Sequence, residues 1–195
     1  MTALIILAAG ASTRLGQPKQ NLVFQNKTLL ERTIEIAIDT ECRPIFVVLG
    51  ANVNEIDFDI KSKEVKFTFN SNWEEGMASS IRIAISEIEK HEEINNALIM
   101  LCDQPFVSSK LIAGMLLKQQ ESKKAIVACK YNDTIGVPAL FNRTFFSELL
   151  LLRGQEGAKK ILKDHPEDVV IIPFDKGNID IDTKEDYNRL INLDN

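Results

Sequence analysis

The feature that most constrains this chain is an alternation. Short apolar runs of strand length recur at Ala3 to Ala9, Ile45 to Leu49, Val65 to Phe69, Ala97 to Cys102, Ala125 to Cys129 and Val169 to Phe174. Between them lie one-sided helical patterns. Thr28 to Ile38 gathers Leu30, Ile34, Ala37 and Ile38 on one face, and Ala78 to Ile88 does the same with Ile81, Ala84, Ile85 and Ile88. Ser109 to Gln120, Arg143 to Leu152 and Lys184 to Leu193 are further helix candidates. Strands apolar on both sides must be covered on both sides. The alternation therefore predicts an α/β fold of three layers, a mainly parallel sheet with helices on both faces. The 195 residues suit a single domain over 1–195, and no repeat, linker or low-complexity stretch divides them.

In such a sheet, ligands sit beyond the carboxyl ends of the strands, so the informative residues are those just after each apolar run. Charge narrows what the ligand can be. The net charge of -5 disfavours a nonspecific grip on nucleic acid. Residues 1 to 30 nevertheless hold Arg14, Lys19 and Lys27 and no Asp or Glu, which suits a small anion. The three cysteines, Cys42, Cys102 and Cys129, are odd in number and far apart, and read as reduced core thiols of a cytoplasmic protein. The first apolar run breaks at Gly10, too short for a membrane span, so no membrane partner is expected.

After that first run comes LAAGASTRLGQPK, residues 7 to 19. A dinucleotide fingerprint needs a second glycine two places after Gly10, where Ser12 stands, and an acidic end to the second strand, where Gly50 stands. A P-loop needs four residues between its glycines, but five separate Gly10 from Gly16, and Gln17-Pro18 precede Lys19. What remains is a loop of small residues whose amides can approach a phosphate or base edge, with Arg14 as a fixed charge and Lys19 as a mobile one.

Four further segments carry chemistry. Asp103-Gln104-Pro105 puts a carboxylate at a strand end, where a hard cation such as Mg²⁺ can be held. In Asn178-Ile179-Asp180-Ile181-Asp182-Thr183, an extended backbone would point Asp180 and Asp182 to one face, and Thr183 or Asp182 could cap the next helix. Asn70 to Ile81, with Trp73, Gly76, Met77 and Ser80, is a polar turn feeding a helix whose first amides face outward. Gly136-Val137-Pro138 opens onto the strand-like Ala139-Leu140-Phe141, and Arg153-Gly154-Gln155-Glu156-Gly157-Ala158-Lys159 begins another helix. Cys102 has no histidine placed by sequence to act as its base, and His91 and His165 read as surface residues.

The long pattern LAAGxSxRxGxPK after an N-terminal strand resembles the signature loop of the MobA-like nucleotidyltransferases, and most of all the branch of molybdenum cofactor cytidylyltransferase. The resemblance spans residues 7 to 186. It implies the nucleoside-diphospho-sugar transferase (GT-A-like) fold and a Mg²⁺-dependent transfer of CMP from CTP to the terminal phosphate of molybdenum cofactor, with GTP as the rival nucleotide. A cytidylyltransferase of sugar or polyol phosphates is a further enzymatic reading, and a nucleotide- or cofactor-binding carrier is the non-enzymatic one. By the same resemblance Leu7, Ala8, Ala9, Gly10, Arg14, Lys19, Gly76, Met77 and Ser80 face the nucleotide. Arg14, Lys19 and Asp103 act in catalysis. Asp103 and Asp182, or else Asp180, hold the metal. Gly136, Pro138, Gly157 and Lys159 lie toward a molybdopterin-type acceptor, with transient contact to a molybdoenzyme or its chaperone. Gln155 and Lys159 stand where the family usually has Asp and Arg, which puts the acceptor's identity in question more than the chemistry.

Overall fold

The structure, a computed structural model, describes residues 1–56 and 62–193. In chain order the strands are β1 (Thr2–Ala8), β2 (Val23–Phe24), β3 (Lys27–Thr28), β4 (Ile45–Leu49), β5 (Val65–Phe69), β6 (Asn96–Leu101), β7 (Ile126–Tyr131), β8 (Thr134–Asn142) and β9 (Val169–Pro173). The helices are α1 (Leu29–Ile38), α2 (Met77–Glu89), α3 (Ser109–Ser122), α4 (Phe146–Leu151), α5 (Lys159–Asp164) and α6 (Lys184–Asn192). Seven strands form one sheet in the order β5-β4-β1-β6-β8-β7-β9, and β2 and β3 pair as a small hairpin.

Every pairing is parallel from β5 across to β6, and β7 pairs parallel with β9. Only β8 runs against its neighbours β6 and β7. The sheet is mainly parallel, as the alternation predicts. Residue-by-residue alternation divides its side chains between two cores. Ala3, Ile5 and Leu7 of β1 face α2, α4 and α5, while Leu4, Ile6 and Ala8 face α1 and α3. Strand β1 is thus buried on both sides, which explains why its sequence is an unbroken apolar run.

Helix starts follow local chemistry. Thr28 caps α1 in a reciprocal box with Glu31, and Ser108 caps α3 by accepting from the amide of Leu111. The Arg143 to Leu152 candidate begins as a single 3-10 turn, Arg143–Phe145, before α4 proper.

The element the apolar runs do not reveal in full is β8. Its register with β7 passes from Ala128 opposite Ala139 to Cys129 opposite Gly136, so Val137 and Pro138 bulge out of the ladder. A proline without an amide is tolerated there and nowhere else in a central strand. A third core joins Leu15, Leu22, Phe24 and Leu29 to Ile181 and Leu190. That cluster carries the residue 179–182 segment back to the end of β1.

Candidate functional site

The loop after β1 is fixed by its carbonyls. Gln20 Nε2 donates to the carbonyl of Ala8 at 2.6 Å, the amide of Ala51 to that of Ala9 at 3.1 Å, and Asn52 Nδ2 to that of Ala11 at 3.2 Å. Ser12, in the left-handed region, accepts the amides of Leu15 and Gly16 on its own carbonyl. Its Oγ accepts the backbone amide of Lys19 at 3.1 Å. Ser12 therefore sets where Lys19 leaves the backbone.

The Lys19 ammonium lies between two carboxylates that sequence separates widely. Nζ donates to Asp103 Oδ2 at 2.6 Å and to Asp182 Oδ1 at 2.8 Å, and Arg14 Nη2 donates to Asp182 Oδ2 at 2.9 Å. Asp103 reaches this junction from the end of β6. Its backbone carbonyl accepts the amide of Ile181, which ties down the chain beside Asp182. Thr183, not Asp182, caps α6, so the Asp182 carboxylate is free for Lys19 and Arg14.

The extended strand expected through Asp180 and Asp182 is not formed. Residues 179–182 lie outside any strand, because buried Ile181 is drawn into the third core. Asp182 meets Lys19 and Arg14, and Asp180 lines a different cleft.

The electrostatics follow this geometry. Burial alone would lower the Lys19 pKa, but the attraction and hydrogen bonds of Asp103 and Asp182 outweigh it and raise it above its ordinary value. Hydrogen bonding from Lys19 holds the Asp182 carboxyl below the usual range, against a smaller effect of burial. Asp180 moves the other way, raised by burial and by the negative charge of Asp103. Burial pushes the Cys102 thiol up to about 12, so it is not a thiolate nucleophile at neutral pH.

A cleft of about 310 Å³ opens beside this junction, walled by Leu7, Ala8, Ala9, Gly10, Lys19 and Asp103 on one side and by Gly76, Met77 and Ser80 on the other. Gly76 adopts φ +121°, and a Cβ there would stand 2.4 Å from the carbonyl oxygen of Gly154. Only glycine allows this approach, which lets the loop after α4 close against the start of α2. The same carbonyl accepts the amide of Ala78 at 3.1 Å. Arg82 clamps Glu75 through both guanidinium nitrogens, at 2.7 and 2.6 Å, and also donates to the carbonyl of Leu152. Asn70 Nδ2 donates to the hydroxyls of Ser79 and Ser80 from beneath.

Nearly all the residues the resemblance assigns to nucleotide and metal thus meet at one cleft and its mouth. Those it assigns to the acceptor have different surroundings. Gly136 and Pro138 are buried in β8, with Gly136 under the Tyr131 hydroxyl. Gly157 packs beside the Met77 sulfur, and Lys159 is exposed at the first turn of α5. Gln20 is the contributor sequence reasoning misses, while Gln155 and Asn70 fall in segments it singles out without giving them these places. Gln20 and Gln155 line the cleft, and Asn70 anchors its serines. Gln20 adjoins Lys19 in the sequence, a usable signal, whereas Gln155 enters the cleft through the α4–α5 loop, which no spacing announces.

A mainly parallel sheet with a small-residue loop after its first strand, and with two carboxylates and two cations gathered beside the end of β6, is the frame of an enzyme that handles a nucleotide. Comparison with known proteins gives the family. Residues 4–169 match the MobA-like NTP transferase domain, and the chain belongs to that family of nucleotidyltransferases. It is 26% identical to nicotine blue oxidoreductase of Paenarthrobacter nicotinovorans, over 96% of this chain and 95% of that protein. It is 25% identical to the purine catabolism protein PucB of Bacillus subtilis, over 95% and 94%. It is also 25% identical to a probable molybdenum cofactor guanylyltransferase of Bacillus cytotoxicus, over 96% and 94%. Among solved structures, Rv0371c of Mycobacterium tuberculosis superposes with TM-score 0.82 at 29% identity, covering 98% of both chains. A manganese complex of Rv0371c superposes at 0.79 with 27% identity over the same shares. The varied names of these relatives leave the substrates to be argued from the site.

Proposed function

We propose that the chain is a Mg²⁺-dependent cytidylyltransferase acting on molybdenum cofactor: the acceptor's terminal phosphate attacks the α-phosphate of CTP in line, and pyrophosphate leaves. The observation that carries this reading is the Asp103–Lys19–Asp182 junction at the mouth of a cleft built from small residues. The donor set suits magnesium. Both side chains offer hard oxygen, and Asp103 Oδ1 is buried with no hydrogen-bond partner among the described residues, an acceptor suited to a cation. Asp103 and Asp182 would hold Mg²⁺, which would supply positive charge to offset the negative charge that develops on the phosphates during transfer. The manganese complex of Rv0371c supports a divalent cation in the family fold.

The chain's own residues do the rest by position and charge, since such a displacement needs little covalent help. With the carbonyls of Ala8, Ala9 and Ala11 engaged behind the loop, its amides and small side chains let the nucleotide approach closely. Lys19 and Arg14, paired with carboxylates in the free protein, turn to the triphosphate and neutralise it. The Gly76, Met77 and Ser80 wall encloses the base and ribose. Gly136, Pro138, Gly157 and Lys159 serve the acceptor, and the product passes to a molybdoenzyme or its chaperone by transient contact. The LAAG spelling of the loop favours CTP. The relative named as a guanylyltransferase favours GTP as the second reading.

Pyrophosphate release measured with Mg²⁺, molybdenum cofactor and each triphosphate in turn tests the proposal. CTP should give the fastest release. Faster release with GTP would replace the first reading by the second, and no release with any triphosphate would overturn both.

A further inference from the structure

Among the described residues, four buried side-chain polar atoms have no hydrogen-bond partner: Gln20 Oε1, Asp103 Oδ1, Gln104 Oε1 and Gln119 Nε2. Gln104 borders a second cleft of about 260 Å³ on the other side of β6, shared with Tyr131, Asn132, Thr134 and Asp180. Its Nε2 there donates to the carbonyl of Val137 at 3.2 Å and to that of Gly177 at 3.0 Å. Gln119, on α3, lines neither cleft. Gln20 and Asp103 both line the first cleft, beside β1.

Gln20 stands on the 3-10 turn Lys19–Asn21 and is 1% exposed. Its bond to the Ala8 carbonyl, 2.6 Å long, fixes which end of the amide is nitrogen and leaves the oxygen as the unpartnered end. Steadying the loop uses the nitrogen alone. A buried acceptor without a donor weakens the fold, and such a group calls for a partner that arrives with the ligand. Gln20 also directly follows Lys19, whose Nζ pairs with Asp103.

The donor that could satisfy Oε1 is limited by what the ligand brings to this wall. In the reading above, base and ribose lie against Gly76, Met77 and Ser80 across the cleft, and the triphosphate lies along the glycine loop and Lys19. Triphosphate oxygens accept hydrogen bonds and donate none. Magnesium, by contrast, gives up its waters reluctantly and keeps several when carboxylates and phosphates hold it. A water so held is a strong donor.

We propose that Gln20 is a positioning residue for the cation, its Oε1 accepting a hydrogen bond from a water that Mg²⁺ keeps. This rests on the reading above that Asp103 and Asp182 hold Mg²⁺. One amide then has two tasks. Its nitrogen fixes the loop that receives the nucleotide, and its oxygen orients the hydration of the metal, so loop and cation are held in register by a single rigid group.

Titration calorimetry of the full chain with CTP, once in EDTA and once in Mg²⁺, separates the two tasks; GTP replaces CTP if pyrophosphate release favours it. Magnesium should tighten nucleotide binding to the native chain. The factor by which it does so should fall about tenfold in Gln20→Met, which keeps the bulk and neither polar atom. Gln20→Glu keeps an acceptor oxygen and gives up the bond to Ala8, and its factor should be no smaller than the native one. Equal weakening of Gln20→Met in EDTA and in Mg²⁺ would mean that the glutamine serves the loop alone, and overturns the proposal. A Gln20→Glu factor as low as that of Gln20→Met overturns it too, as does a native chain that Mg²⁺ does not tighten. One measurement needs no variant: the Nε2 amide resonance of Gln20 in the ¹⁵N-labelled native chain should shift when Mg²⁺ joins saturating nucleotide, and an unmoved resonance counts against the assignment in the same way. If no triphosphate supports pyrophosphate release while the Gln20→Met factor still falls, the transferase reading fails and the role of Gln20 stands. If pyrophosphate is released and Gln20→Met keeps the native factor, the role of Gln20 fails alone.

Discussion

The two clefts flanking the end of β6 are built from different materials. The one beside β1 sets the small residues Ala8, Ala9, Gly10, Ala11 and Gly76 among larger side chains such as Trp73 and Met77 and the charges of Lys19 and Asp103, whereas the one beside β7 presents side-chain amides, hydroxyls and a tyrosine. Where small residues line a cleft, the backbone amides stay open to a ligand, and that part of the wall depends little on side-chain chemistry. A wall of side chains can be rewritten one residue at a time. The first cleft accordingly carries the glycine-loop motif, and the second is built mainly from side chains.

The largest effect should come from the Lys19 junction at the first cleft. Asp103→Asn removes the buried carboxylate charge, and pyrophosphate release should drop at least about a hundredfold with circular dichroism unchanged. Undiminished release would remove Asp103 from the chemistry. Lys19→Met comes next. It leaves Asp103 and Asp182 facing each other without the ammonium between them, with Arg14 still paired to Asp182, and should cost about 1–2 kcal/mol of stability in denaturant titration, less than a fully buried pair because Asp182 is 36% exposed. Mg²⁺ alone should restore stability to this variant more than it adds to the native chain, since the metal then has no ammonium to displace.

The pH dependence of melting sharpens the same point. The Asp182 pKa is depressed on folding, so its contribution is present above its ordinary 3.8 and is lost as pH falls through the lower folded value. The Lys19 pKa is raised, so its contribution is present below 10.5 and is lost as pH rises through the higher folded value. Both limbs should be shallower in Lys19→Met, and identical limbs in the two proteins would detach the junction from stability.

Smaller effects separate nucleotide from acceptor. Gly76→Ala forces a methyl group against the Gly154 carbonyl and should raise the KM for nucleotide about tenfold while leaving the KM for acceptor alone. Arg82→Leu unclamps the loop after α4 and should raise the KM for nucleotide only about two- to threefold, because the Glu75 pair is solvent-exposed. An equal rise in both KM values for either variant would mean that the two substrates do not bind independently.

Much of this was legible in the chain itself. The β1 run, the one-sided α1 and α2 patterns and the small-residue loop through Lys19 are local features, and local features follow from period and propensity. Asp103 was legible for the same reason, as a carboxylate closing an apolar run. Strand β8 was not readable in full, because Pro138 within it argues against a strand until the bulge opposite Cys129 removes the need for its amide. Nor was the parting of Asp180 from Asp182, which depends on buried Ile181 packing with Leu15 and Phe24.

By itself, then, the sequence determined the layered fold, the loop after β1 and the kinds of groups available, since backbone periodicity and side-chain chemistry are properties of short stretches. Tertiary structure alone decided which of those groups meet. Lys19, Asp103 and Asp182 lie 84 and 163 residues apart as paired, and only the parallel sheet and the third core bring them within 2.8 Å. The second cleft is the stronger case. Gln104 and Gly136 stand in segments the sequence singles out, but nothing in it announces their meeting with Tyr131 and Gly177, and that arrangement exists only because a bulged antiparallel strand frees a carbonyl for one and two missing Cβ atoms make room for another.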